Sequence, residues 1–132
     1  MTNSFQFRLD LRSGVPVYRQ IIDHVLMAIA SGALRGGDQL PTVRQLAVDL
    51  SINPNTVIRA YRELEIRGIL TTQQGTGTFI TTKKVKRDEV ERQRQLAQLA
   101  GEFVARGGAL GFTGQELLDA LSEVLTEQEK RR

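Results

Sequence analysis

With 132 residues and a mass of 14.7 kDa, the chain has room for one ordinary domain and a short appendage, not for two large domains. It is 40% hydrophobic and 25% charged, the balance of a soluble globular protein rather than of a disordered one. A formal charge of +3 makes a polyanionic partner plausible, while zero cysteines and a single histidine exclude disulfides, thiolate metal sites and histidine metal clusters.

The opening "MTNSFQFRLD" has neither a basic lead nor an apolar h-region, and no apolar run is long enough to span a bilayer. A cytoplasmic address without membrane contact is the expectation. In "PVYRQIIDHVLMAIASGAL", Val17, Ile21, Val25 and Ile29, with Ile22, Leu26 and Ala33, recur at the spacing of one broad helical stripe. Pro16 suits the first turn of this helix and Gly32 its stop. His24 falls beside the stripe and reads as a half-exposed bystander, not a ligand or base.

"LRGGDQLP" reads as a turn. Thr42, followed three residues later by Gln45, then opens a short helix with a capping box, whose apolar face is Val43, Leu46, Ala47 and Leu50. After the break "SIN", Asn53 is placed to cap a third helix and Pro54 to take its first position, where the missing N–H costs nothing. That helix is expected to run to about Arg67, with Val57, Ile58, Tyr61 and Leu64 inward. Asn55, Arg59 and Arg62 then form an outward polar stripe, with Thr56 in the first turn. A helix built only for packing has no use for amides and guanidiniums there. Two helices around a tight turn, the second exposing such groups, form a helix-turn-helix pattern.

Gly68 ends the third helix, and "ILTTQ", "QGTG" and "TFITT" read as two strands around a glycine turn. The lone "GTG" is no nucleotide fingerprint, since the strand-to-helix context is missing. Gly75, Thr76 and Gly77 turn the chain, and glycines there also allow a backbone to approach a groove closely.

The densest positive run, "KKVKR" at 83–87, precedes "DEVER" and reads as a solvated helix start, with a phosphate-contacting patch as the sharper alternative. Residues 1–81 hold eight Lys/Arg against six Asp/Glu, and 82–132 ten against nine, so neither part is a basic tail. Leu96, Leu99, Ala100 and Phe103 line one side of a fourth helix. Beyond "GGALG", Thr113 and Glu116 box the start of a fifth with Leu117, Leu118, Leu121, Val124 and Leu125 as its face. Two such helices are too few to bury both stripes. The body at 1–82 or a second copy could cover them, and symmetric homodimers are the commonest solution.

An α-helix fits the major groove of B-DNA, where Arg pairs with guanine and Asn with adenine. Arg44, early in the second helix, is placed to grip the backbone or a base edge beside the turn. Asn53 is foremost a cap, which is compatible with a phosphate contact through the same helix end.

Residues 15–80 resemble, without a gap, the winged helix-turn-helix of the GntR family of bacterial transcription regulators. The resemblance rests on "GDQLPTVRQLA", "NPNTVIRAYRELE" with "RG" soon after, and "GTGTF" together. It implies that Arg44, Asn55, Thr56 and Arg59 approach an operator, with Gly75 and Gly77 at a wing tip near the minor groove. Gly36 stands where the family often has proline and Thr42 where serine is common; both keep turn and cap. The short tail resembles the YtrA-type subfamily, whose two terminal helices serve mainly to dimerise and whose members often repress operons containing ABC transporters.

The expected fold is therefore mainly α with a small β-hairpin wing. Residues 1–82 form a winged helix-turn-helix DNA-binding domain and 83–132 a two-helix dimerisation tail. The expected function is a homodimeric, sequence-specific repressor on a palindromic site. No cofactor and no metal is expected, although carboxylate-only metal binding and an unknown small-molecule effector at a dimer seam stay open. The alternative is a winged-helix adaptor that holds another protein and never touches DNA. An enzyme is not expected, because no nucleophile–base pair is suggested and no carboxylate pair marks a pocket.

Overall fold

The computed structural model describes residues 5–82 and 88–130, the side chains of the last three excepted. The basic run at 83–87 lies outside the described residues. Contacts divide the described chain into two compact units, 5–82 and 88–127.

The first unit contains α1 (Val17–Ser31), β1 (Gln39–Leu40), α2 (Val43–Leu50), α3 (Pro54–Ile66), β2 (Leu70–Gln73) and β3 (Gly77–Ile80). α3 packs against both α1 and α2. The core between them is aliphatic, as scarce aromatics require: Ile21, Ile22 and Val25 of α1 meet Leu46 of α2 and Val57 and Leu64 of α3. Leu40, Leu70 and Ile80 close it from the sheet side. α1 stops at Gly32, whose φ of 84° is a conformation that side chains disfavour. α3 stops in a Schellman arrangement: the Gly68 N–H donates to Glu65 O (2.9 Å) and the Ile69 N–H to Leu64 O (2.9 Å).

In the first unit three features differ from the sequence expectation and a fourth adds to it. Pro16 is the N-cap of α1, one residue ahead of the first turn in which it was expected. The expected two-stranded hairpin is the larger part of a three-stranded antiparallel sheet of order β1-β3-β2, because Gln39 and Leu40 pair with Phe79 and Thr78. A two-residue strand has no periodicity of its own and exists only through that non-local pairing. Ile58 was expected inward but lies 37% exposed, and Ala60 is buried in its place. On a 3.6-residue helix 57, 60, 61 and 64 make one stripe, and Ile58 falls about 60° beyond its edge.

The fourth feature is the segment before α1. Phe5 and Phe7 belong to the core, their rings edge to face at 4.9 Å. Buried Gln20 fastens the chain that follows: its Nε2 donates to Asp10 O (2.9 Å) and Val15 O (2.9 Å), and its Oε1 accepts from the Asp10 N–H (2.7 Å). His24 lies half-buried with its ring toward Phe7, as a bystander would.

The second unit consists of the helical pair α4 (Glu89–Ala109) and α5 (Gly114–Lys130), the latter as far as residue 127. Asp88 caps α4 by accepting from the Val90 N–H (3.0 Å). Thr113 and Glu116 form the expected box, with bonds of 3.2 and 2.9 Å. α4 does not break at Gly107 and Gly108, as "GGALG" suggested, but continues to Ala109; the chain reverses at Gly111, where φ is 91°. Gly107 has a packing role instead. It is buried, and a Cβ there would stand 2.5 Å from both Leu117 methyls. Leu117 is accordingly used up inside the pair, not on the outer face expected of it.

Candidate nucleic-acid interface

The helix-turn-helix is fixed at each joint. Thr42 Oγ1 accepts from the Gln45 N–H (3.1 Å) and Gln45 Oε1 from the Thr42 N–H (3.2 Å), which seals the start of α2. The turn runs through Ser51, the one non-glycine with positive φ (55°) among the described residues, and the Ile52 N–H closes it onto Ala47 O (3.0 Å). Asn53 Oδ1 then accepts from the Asn55 N–H (2.8 Å) to start α3. Behind α3, the Tyr61 hydroxyl donates to Pro41 O (2.7 Å), tying the helix to the strand that leads into α2. Burial pushes the Tyr61 phenol well above its ordinary range.

On the outer side, Asn53, Asn55, Arg59 and Arg62 are exposed and Thr56 is half-buried. Arg44, in the first turn of α2, is exposed too. Among the described residues neither Arg44 nor Arg62 has an ion-pair partner. The acid nearest along the helix, Glu63, bonds Arg67 at 3.0 Å instead. Asn53 commits its oxygen to capping, whereas the Asn55 amide keeps its bonding capacity. Among the described residues α2 and α3 thus expose three guanidiniums without an ion pair, together with the free amide of Asn55, and their side-chain N–H donors are available to an acceptor outside the protein.

Arg59 has a neighbour that sequence reasoning missed. Its guanidinium carbon stands 3.7 Å from the centre of the Tyr18 ring, on the first turn of α1. Tyr18, Ile58, Asn55, Arg59 and Arg62 line one open groove along α3. Tyr18 gave no signal, since its partner is remote in sequence; Ile58 was legible only as an inward residue.

The wing is the β2–β3 hairpin, in register Leu70↔Ile80, Thr71↔Phe79, Thr72↔Thr78 and Gln73↔Gly77. Gly75 and Thr76 are exposed at its tip and Gly77 is half-exposed. The Thr76 N–H donates to Gln73 O (3.0 Å), with Gly75 at φ 79° inside that turn. Gly77, at φ 137°, has a second reason to be glycine: a Cβ there would collide with the Gln39 amide, which itself donates to Thr76 O at 3.1 Å. Gln39 is therefore a prop of the wing that the sequence did not disclose. The Thr72 hydroxyl donates to Glu65 Oε1 (2.8 Å), joining wing to α3.

A three-helix body whose last helix presents guanidinium and amide groups, flanked by a β-hairpin wing, defines a winged helix-turn-helix DNA-binding protein. Residues 17–80 match the profile of bacterial regulatory proteins of the gntR family. The chain belongs to that family. It is 38% identical over 121 residues to the uncharacterized HTH-type transcriptional regulator YhcF of Bacillus subtilis, covering 92% of this chain and 94% of that one. Over 74 residues it is 46% identical to the HTH-type transcriptional repressor YtrA of the same organism, 56% of this chain and 57% of that one. Among solved structures, a GntR family transcriptional regulator from Listeria monocytogenes aligns with a TM-score of 0.60 at 33% identity, covering 86% of this chain and 98% of the other. The chain is a transcription regulator, not an enzyme.

Proposed function

We propose that the protein is a cytoplasmic repressor that binds a palindromic operator as a homodimer, reading bases with α3. The observation that carries this reading is the unneutralised set Arg44, Arg59 and Arg62 together with the free amide of Asn55, all exposed on α2 and α3. Arg59 and Asn55 suit guanine and adenine edges, and the exposed end of Ile58 suits a thymine methyl. Arg44 suits a phosphate or a base edge beside the turn, and the N-terminus of α3 at Asn53 and Thr56 suits a phosphate. Gly75, Thr76 and Gly77 bring the wing tip against the neighbouring groove.

Dimerisation is assigned to the helical pair, which leaves Leu96, Leu99 and Phe103 of α4 and Leu118, Leu121, Val124 and Leu125 of α5 exposed. Such a sequence of large apolar side chains calls for a partner, and the repressor name of YtrA supports the direction of regulation. Half-sites then lie about one helical turn, ~34 Å, apart. The test is selection of bound genomic fragments followed by anisotropy titration of the selected duplex. Arg44→Ala and Arg59→Ala are each expected to weaken operator binding at least about tenfold with unchanged circular dichroism. Unaltered affinity in both, or equal binding to all duplexes, would reject the assignment and favour an adaptor.

A further inference from the structure

We propose that Tyr18 is a positioning residue for operator recognition: its ring holds the Arg59 guanidinium ready-stacked, with the donor edge turned outward to a base. The inference rests on the reading that Arg59 contacts DNA. A long arginine on a helix surface samples many rotamers and loses that freedom when it docks. The ring at 3.7 Å removes part of this loss beforehand. A carboxylate could also hold the guanidinium, but it would consume N–H donors and neutralise the charge. The ring does neither, since a cation over a π face keeps its in-plane donors free. The acid available for that other role, Glu63, is engaged by Arg67.

Tyr18 is itself suited to be the fixed partner. It stands in the first turn of α1, partly buried and packed against the core, and carries only two side-chain torsions. Arg62, on the same helix and lining the same groove, has no such ring among the described residues and serves as the internal control.

The test is a double-mutant cycle in the full-length protein, read as affinity for the selected operator and for single-base variants of it. Tyr18→Leu keeps apolar packing and removes the π face; Tyr18→Phe keeps the face. Tyr18→Leu is expected to weaken operator binding about fivefold, Tyr18→Phe less than twofold. Tyr18→Leu is also expected to flatten discrimination at the same base position that Arg59→Ala flattens. In an Arg59→Ala background it adds less than twofold, whereas in an Arg62→Ala background it keeps its full effect. Should Tyr18→Leu lower stability, Tyr18→Met replaces it. Unchanged or tighter binding by the Leu variant overturns the proposal, as does an equal loss with and without Arg59, which marks a merely structural side chain. If Arg59→Ala alone leaves operator affinity intact, the parent reading of Arg59 fails as well. That result is distinct from a loss on Arg59→Ala that Tyr18→Leu does not reproduce.

Discussion

Tyr61 stands back to back with the exposed arginines of α3, and its hydroxyl sets where that helix lies against the approach to α2. The bond joins two buried or half-buried groups, so Tyr61→Phe is expected to cost about 1 kcal/mol at neutral pH. Burial raises the phenol above its unfolded value of about 10. For a raised pKa the native state favours the proton more than the unfolded chain does. The stabilisation is complete below about pH 10 and is lost as pH rises beyond it. The stability gap between wild type and Tyr61→Phe should therefore narrow above about pH 10. Urea titrations of both proteins at pH 7 and pH 10.5 measure this, and a gap that widens with pH would contradict the assigned burial.

The elements that sequence made legible are those whose cause is local. Thr42 with Gln45, Asn53 with Pro54, and Thr113 with Glu116 each announced a helix start, because such signals relate residues no more than three apart. The outward stripe Asn55, Arg59 and Arg62 followed from helical period alone. What stayed hidden depends on distant partners: β1 on Phe79 and Thr78, Tyr18 on Arg59, Gln20 on the segment before α1. Gly107 was misjudged because glycine signals both a break and a close approach, and only Leu117 tells which applies. The turn between α2 and α3 carries a prediction of its own. Ser51 holds φ 55°, a conformation that costs a side-chain-bearing residue about 1 kcal/mol. Ser51→Gly should consequently raise the melting temperature, or at least not lower it, without altering operator affinity. A clear loss of stability in thermal unfolding would show that the serine contributes something beyond backbone geometry.

At the level of the whole molecule, the two units divide labour by the character of their surfaces. The first buries an aliphatic core and exposes guanidiniums; the second, among its described side chains, buries Leu117 and leaves its other leucines open. A pair of helices so exposed is not stable on its own account. In the dimer proposed above, Leu121, in the middle of the α5 stripe and 45% exposed, is a position where a charge disturbs the interface at little cost to the chain's own packing. Leu121→Asp should shift the protein to monomer in sedimentation velocity. It should keep weak binding to a half-site and lower affinity for the full palindrome about a hundredfold through lost bivalency. A variant that remains dimeric with undiminished affinity would place the interface elsewhere.

The contact between the Gln39 amide and the carbonyl of Thr76 has a practical corollary for anyone grafting recognition loops between relatives. The hairpin tip is not a portable cassette. Its pitch is governed by a side chain encoded well upstream, in the link between α1 and α2. On the proposed reading that the wing meets DNA, a transplanted tip therefore has to travel with a matching residue at position 39 to keep its aim along the duplex.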